Sequence, residues 1–456
     1  MLTFVALAVA RDIVVESEAE LRAAALAARP GDTIEIQGEG FTLANTIALA
    51  ADGTAEAPIT LRSDLVTLRS TAVEAFKLTG AYWVIERVGL EGACADDSDC
   101  EHAIHVAGNA DGTVIRYCTL VDFNAQIKAN GEDEGAGYVW PDDVLVEGNV
   151  LYDTRPRQTS NPVTKLDVVG GRRWTVHANM ILDFEKAQGD GVSYGAFLKG
   201  NSKDGVFEGN LVRCAMAFEG GYRVGLSLGG GGTSPDSICE EGTCTPEHEG
   251  GVLRNNIVAS CSDVGIYLNK AADTEVVANT LYATEGIDVR FDASTAHLTH
   301  NVLDADIKER DDGSATLGAN EENAPLDAWF AAPGALDFTL LSGAPLRDAG
   351  TPVDGLTRDF CGLPRDGAPD LGALEYTTNP PCDTTTPHPL LSDEGAGGND
   401  TSGTGDTGRS SDTGDGGEDA CGCDGGTAAT TLPLGVLVLS LLRRRPSDAA
   451  SRRPRR

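Results

Sequence analysis

Val144-Leu-Val-Glu-Gly-Asn149-Val and Trp174-Thr-Val-His-Ala-Asn179-Met share one pattern: alternating apolar residues, a polar step, then asparagine. It returns as Val206-Phe-Glu-Gly-Asn210-Leu, Val252-Leu-Arg-Asn-Asn256-Ile, Val276-Val-Ala-Asn279-Thr-Leu and Leu298-Thr-His-Asn301-Val. Thr113-Val-Ile-Arg-Tyr-Cys118-Thr-Leu fits with cysteine in place of asparagine. The asparagines are 30, 31, 46, 23 and 22 residues apart. A period of this length marks a stack of similar units. The apolar residues alternate, as in strands, and lack helical spacing. Gly-Asn and Asp-Gly pairs are turn signals. The shortest spacings equal about one coil of a parallel β-helix, in which each short strand pairs with the coils above and below. Asparagines at one repeated turn can stack amide on amide. The spacing of 46 is either one coil with a long insertion or two coils.

Outward from the repeat, Ser17 is placed to cap a helix from about Glu18 to Ala28, with Leu21, Ala25 and Leu26 on one face. Pro30-Gly31-Asp32 ends it, and Thr33-Ile34-Glu35-Ile36 begins the first strand. A terminal cap is what a solenoid needs to block end-to-end pairing. The expected fold is therefore all-β, a single-stranded parallel β-helix over residues 11–376 with an N-terminal capping helix.

The chain has 456 residues, a net charge of −35 and 41% hydrophobic residues. That is enough apolar content for a large core. The acidity argues against a nucleic-acid partner and against an anionic membrane surface except where basic charge is local. Eleven cysteines, with Cys94 near Cys100 and Cys239 near Cys244, point to local disulfides and an oxidising compartment. Cys214 and Cys261 follow their coil asparagines by four and five residues, which suits a cross-coil bridge; Cys361 with Cys382 is a further candidate.

Both ends suggest export. Leu2 to Ala10 is apolar and ends Ala8-Val9-Ala10, the small-x-small pattern of a cleavage site, so residues 1–10 are expected to be a truncated signal peptide. The alternative is a buried first strand. Residues 377–426 read as a flexible acidic linker of Gly, Ser, Thr and Asp. Cys421-Gly-Cys423, the apolar run Ala428 to Leu442 and Arg443-Arg444-Arg445 follow. This tail resembles the C-terminal sorting signals of myxobacterial surface proteins, the MYXO-CTERM type. The resemblance implies a cell-surface or outer-membrane protein, or one secreted after processing, with membrane contact only through residues 427–456.

The stretch Ala28 to Phe41 with Ala57-Pro-Ile-Thr-Leu-Arg62, and the close Asp348-Ala-Gly350 to Asp370-Leu-Gly-Ala-Leu-Glu375, resemble the opening and ending of right-handed parallel β-helix proteins, including polysaccharide lyase family 6. The right-handed sense is implied by that resemblance.

Only eight of the 35 basic residues are lysine. Aligning a second strand per coil gives a column Lys128, Lys165, Lys199, Ser227, Tyr267, Arg290, with neighbours about 4.8 Å apart. Stacked like charges destabilise a sheet unless something neutralises them. The column therefore reads as the basic floor of a groove for an acidic polysaccharide, or as a solvated face whose lysines pair with carboxylates in adjacent columns. Long segments at Gly131 to Asp143, at Gly229 to Gly232 and beyond, at Arg155 to Asn161 and at Glu185 to Ser193 would wall it. Family 6 enzymes use a lysine base to remove the proton alpha to a uronate carboxyl. By that resemblance Lys165 takes the base position and Lys199 the position of an arginine one coil later. Arg223, Tyr267 and Arg290 are candidate substrate contacts; Arg223 and Tyr222 can equally brace their loop. Where the family places calcium-binding acids, Ser160 and Gln158 stand, and its leucine-arginine-histidine-glycine signature is missing. Asp304, Asp306, Asp311 and Asp312 form either a calcium site or an acidic turn. His102 and His105, an HxxH outside a helix, read as structural. The expected activity is β-elimination, with a non-catalytic glycan-binding surface module as the rival.

Overall fold

The computed structural model describes residues 10–378, apart from positions 134, 136, 231, 232 and 366, together with Thr384. The expected signal segment apart from Ala10, the sorting tail, and the linker apart from residues 377, 378 and 384 lie outside the described residues, as does Cys382. No helix among the described residues is long and apolar enough to cross a membrane.

The chain is a parallel β-helix. Three long sheets of twelve, ten and ten strands run the length of the domain, each built from one strand per coil. One coil shows the plan. Leu145–Glu147 lies in the twelve-stranded first sheet, Val150–Tyr152 in the second and Val163–Val169 in the third. The next coil re-enters the first sheet at Thr175–His177, in register with Leu145–Glu147. Val146, Val176, Phe207, Leu253, Val276 and Leu298 stack inside.

The asparagines occupy the tight turn between the first and second sheets. Each Nδ2 donates to the Oδ1 of the next: Asn149 to Asn179 at 2.9 Å, Asn179 to Asn210 at 3.0 Å, Asn210 to Asn256 at 3.0 Å, Asn256 to Asn279 at 2.9 Å and Asn279 to Asn301 at 2.9 Å. Asn210 and Asn256 touch directly, so the 46-residue step is one coil with an insertion. Asn301 continues to Asn320, a rung only 19 residues on and outside the apolar pattern. Cys118 fills the rung before Asn149, its backbone N–H donating to Asn149 Oδ1.

The residue before each rung has a left-handed backbone: Gly148, Ala178, Gly209, Asn255, Ala278 and His300, with φ between 53° and 63°. None is β-branched, because a branched Cβ is least tolerated there. Gly209→Val is expected to cost about 1–2 kcal/mol, read as a lower urea midpoint. An added Cβ at Gly209 meets nothing closer than 3.9 Å, so the loss reports backbone strain.

The N-terminal helix forms at Glu18–Leu26, with the Ser17 hydroxyl accepting from Glu20 N–H. Leu21, Ala24 and Ala25 join the core, whereas Leu26, expected on the same face, is 87% exposed as the last residue of the helix. Thr33–Ile36 is a strand as expected but not the first: Asp12–Val15 precedes the helix and pairs with it in parallel. Disulfides join Cys94 to Cys100, Cys239 to Cys244 and Cys214 to Cys261, the last across coils.

Two of the three outer faces are already occupied. On the first sheet Glu35, Arg62, Glu86, Arg116, Glu147, His177, Glu208 and Arg254 stand in one column of alternating acidic and basic side chains. On the second sheet Met180, Leu182, Leu211 and Ile257 point outward and are covered by Phe330, Phe338, Leu346 and Phe360 of the returning C-terminal segment. The third sheet keeps an outer face of its own.

Candidate functional site on the third sheet

The register of the third sheet corrects the expected column. Strand by strand it reads Lys77, His105, Lys128, Asp167, Phe197, Ser227, Tyr267, Asp288, Lys308. Lys128 therefore faces Asp167 rather than Lys165. Lys199 pairs with Val169, two residues further along, and Arg290 pairs with Asn269. Only Ser227 and Tyr267 remain neighbours. The offset arises because the segments before these strands differ in length, so counting from the asparagines does not give the register.

Lys165 lies inside the coil. It is fully buried, and its Nζ donates to the Phe123 carbonyl at 3.0 Å and to Asp153 at 2.6 Å. Gln126 of the preceding coil also donates to Asp153. Lys165 is level with Gly195, where an added Cβ would meet Val212 and Phe184 of the core. Burial pushes the Asp153 carboxyl up to about 6 against the pull of Lys165, and burial lowers the lysine in turn. A polymer on the surface has no access to this amine, so the assignment of Lys165 as base does not survive its placement.

The surface lysines are largely neutralised, as the solvated-face reading requires. Lys128 pairs with Asp167 at 2.7 Å and Lys77 with Glu132 at 3.0 Å. Lys199 differs. Among the described residues it has no carboxylate within 4 Å, and its Nζ sits 4.3 Å from the centroid of Phe197, a cation–π contact. Desolvation lowers its pKa, Asp167 and Glu247 opposing and Lys128 reinforcing the shift. Glu247 itself is raised by burial and accepts from Gly200 N–H and the Thr233 hydroxyl.

The other expected contacts are structural. Arg223 is buried, binds Glu185 at 2.7 Å and donates to the carbonyls of Cys214, Phe218 and Gly220; it braces its loop. Arg290 donates to the Tyr267 hydroxyl at 3.1 Å and pairs with Asp311. Asp304 accepts from Ala283 N–H and Asp306 from Asn323, so with Asp311 engaged elsewhere these acids form a turn.

A cluster at the start of the face was read as structural in sequence. Glu74 and His102 are cross-strand partners. His105 sits between Glu74 Oε1 and Asn130 Oδ1, each 2.8 Å from a ring nitrogen. Burial, reinforced by His105 and Lys128, holds His102 down to about 4. Trp140, on the long segment after Gly131, lies where a Cβ on Gly131 or Gly170 would be. Beside it Tyr138 is exposed, its ring centroid 5.9 Å from that of Trp140. An aromatic surface thus borders the end of the strand that carries Lys128. Asp153, Asp167 and Glu74 were missed in sequence because each looks like one acid among seventy.

No protein-family model matches the chain, and no curated protein matches it in sequence. Solved structures do resemble it in fold. An alginate lyase from Paenibacillus sp. str. FPU-7 is 16% identical, with 68% of this chain and 95% of that one aligned at a TM-score of 0.43. The pectate lyase Pel9A is 14% identical over 81% of this chain and 97% of its own, at 0.47. The GH136 lacto-N-biosidase from Eubacterium ramulus is 10% identical over 64% and 62%, at 0.41.

Proposed function

We propose that this β-helix binds an acidic polysaccharide along the outer face of its third sheet, around Lys199. The observation that carries the reading is the Lys199 amine: half-buried, resting on Phe197 and without a carboxylate partner among the described residues. A desolvated cation without a direct carboxylate partner among the described residues, in a chain of −35, is suited to an incoming carboxylate, which would make a stronger charge-assisted bond there than in water. Tyr138 offers an apolar surface for a sugar ring nearby. The three disulfides between described residues support an exported protein; surface attachment through the C-terminal segment belongs to the same proposal.

Lys199 also favours a second step. Burial lowers the Lys199 pKa, the direction that favours a general base, here acting on the proton alpha to a uronate carboxyl. The test is binding to alginate, pectate, chondroitin and a heparin-like polymer, with the ultraviolet absorbance of unsaturated uronate followed in parallel. Lys199→Ala is expected to weaken binding about tenfold or more, the loss of one charge-assisted contact. Lys128→Ala, which removes a lysine already paired, should cost less. Absorbance lost with Lys199→Ala would establish elimination; binding without absorbance would make the protein a glycan-binding module. Equal affinity of wild type and Lys199→Ala for all four polymers would refute the site.

A further inference from the structure

We infer that Glu74, His102 and His105 form a binding site for a divalent transition-metal ion such as zinc. One ligand atom from each residue lies within 4.8 Å of the others. Two imidazoles and one carboxylate are a ligand set that suits zinc and leaves a coordination position open.

The hydrogen bonds around His105 carry the argument. Asn130 Nδ2 donates to the Gly131 carbonyl, which fixes the amide so that Asn130 Oδ1 faces His105 Nε2. With the ring proton on that nitrogen, the Asn130 oxygen accepts from it. In the neutral ring Nδ1 then holds a lone pair, yet it faces the Glu74 carboxylate at 2.8 Å. A ring lone pair beside a carboxylate oxygen is a donor set that suits a metal ion. A ring N–H donated to a carbonyl oxygen is also the usual outer support of a metal-bound histidine. His102 adds an independent sign. Its Nδ1 is buried without a hydrogen-bond partner among the described residues, although buried polar atoms are ordinarily satisfied. Glu74 and His102 are only half-buried, which leaves an ion a way in. Lys128, the nearby positive charge, is held by Asp167 at 2.7 Å, so its repulsion is offset.

The test uses the full chain stripped of metal and titrated with zinc sulfate by calorimetry, with thermal melts alongside. His102→Ala removes one ligand and leaves the His105, Glu74 and Asn130 contacts intact; Glu74→Gln keeps the side-chain shape. The expected result is one equivalent of zinc bound by the wild type, a raised melting temperature, and at least a tenfold loss of affinity in each variant. Metal-free melts identify any variant that misfolds, and the other then decides. No zinc binding by the wild type would overturn the inference. Binding unchanged in both variants would place the ion elsewhere and overturn it equally. Polysaccharide affinity of the Lys199→Ala protein is a separate readout, so the two proposals fail independently.

Discussion

Asn210→Ala is expected to lower the stability of the solenoid by about 3–5 kcal/mol. The side chain serves both neighbouring coils. Its Oδ1 accepts from the backbone N–H and the amide of Asn179, and its Nδ2 donates to the Val176 carbonyl at 2.8 Å and to Asn256. Alanine leaves the buried Asn179 N–H without an acceptor and withdraws the donor from Val176. Each orphaned buried group costs about 1–3 kcal/mol. Asn320, partly exposed at the far end of the ladder, should lose much less on the same substitution. Urea midpoints of the two variants check the gradient; equal small losses would mean that the amides are not coupled.

Removing Lys165 should cost a comparable amount for a different reason. Lys165→Met leaves Asp153 buried with its charge uncompensated, expected to cost about 3–5 kcal/mol. The double variant Asp153→Leu with Lys165→Met removes both charges and should recover most of that loss or exceed the wild type. The pH dependence has a definite sign. The carboxyl of Asp153 titrates near 6 in the folded protein and at about 3.9 when unfolded. The folded state thus holds the extra proton between those values, and this group's contribution to stability falls as pH rises from about 4 to 6. The lysine is lowered, so the unfolded chain binds the extra proton on the alkaline side and stability recovers toward the ordinary lysine range. The double variant should lose both slopes in urea melts across that pH range. A glycan assay on Lys165→Ala would confuse lost folding with lost activity; Lys199 is the residue to change.

The parallel β-helix was legible because its determinants are local and repeated. Alternating apolar residues recur from coil to coil, with a turn asparagine in each coil from Asn149 to Asn320, whatever is inserted between them. The cysteine pairs were legible for the same reason, since each bridge lies within one loop or between adjacent turns. The register of the third sheet was not. Lys128, Lys165 and Lys199 follow segments of unequal length, and two residues of slack change each neighbour. Lys165 shows the deeper difficulty: a lysine in a strand reads as outward-facing until Asp153 and the Phe123 carbonyl are known to meet it inside. The returning segment over the second sheet was also hidden, because Met180, Leu211 and Ile257 look like core residues whichever way they point.

The alternating column on the first sheet bears on how this solenoid can change length. The asparagine rungs from Asn149 onward are identical, so they would accept the loss or gain of a whole coil among them. The charges would not. Excising the coil that carries Arg62, Arg116 or His177 would set two glutamates side by side, and excising that of Glu86 would set Arg62 against Arg116. Excising two adjacent coils restores the alternation. The protein therefore carries a parity rule on its surface, by which shortened or lengthened versions should be tolerated in even steps and resisted in odd ones.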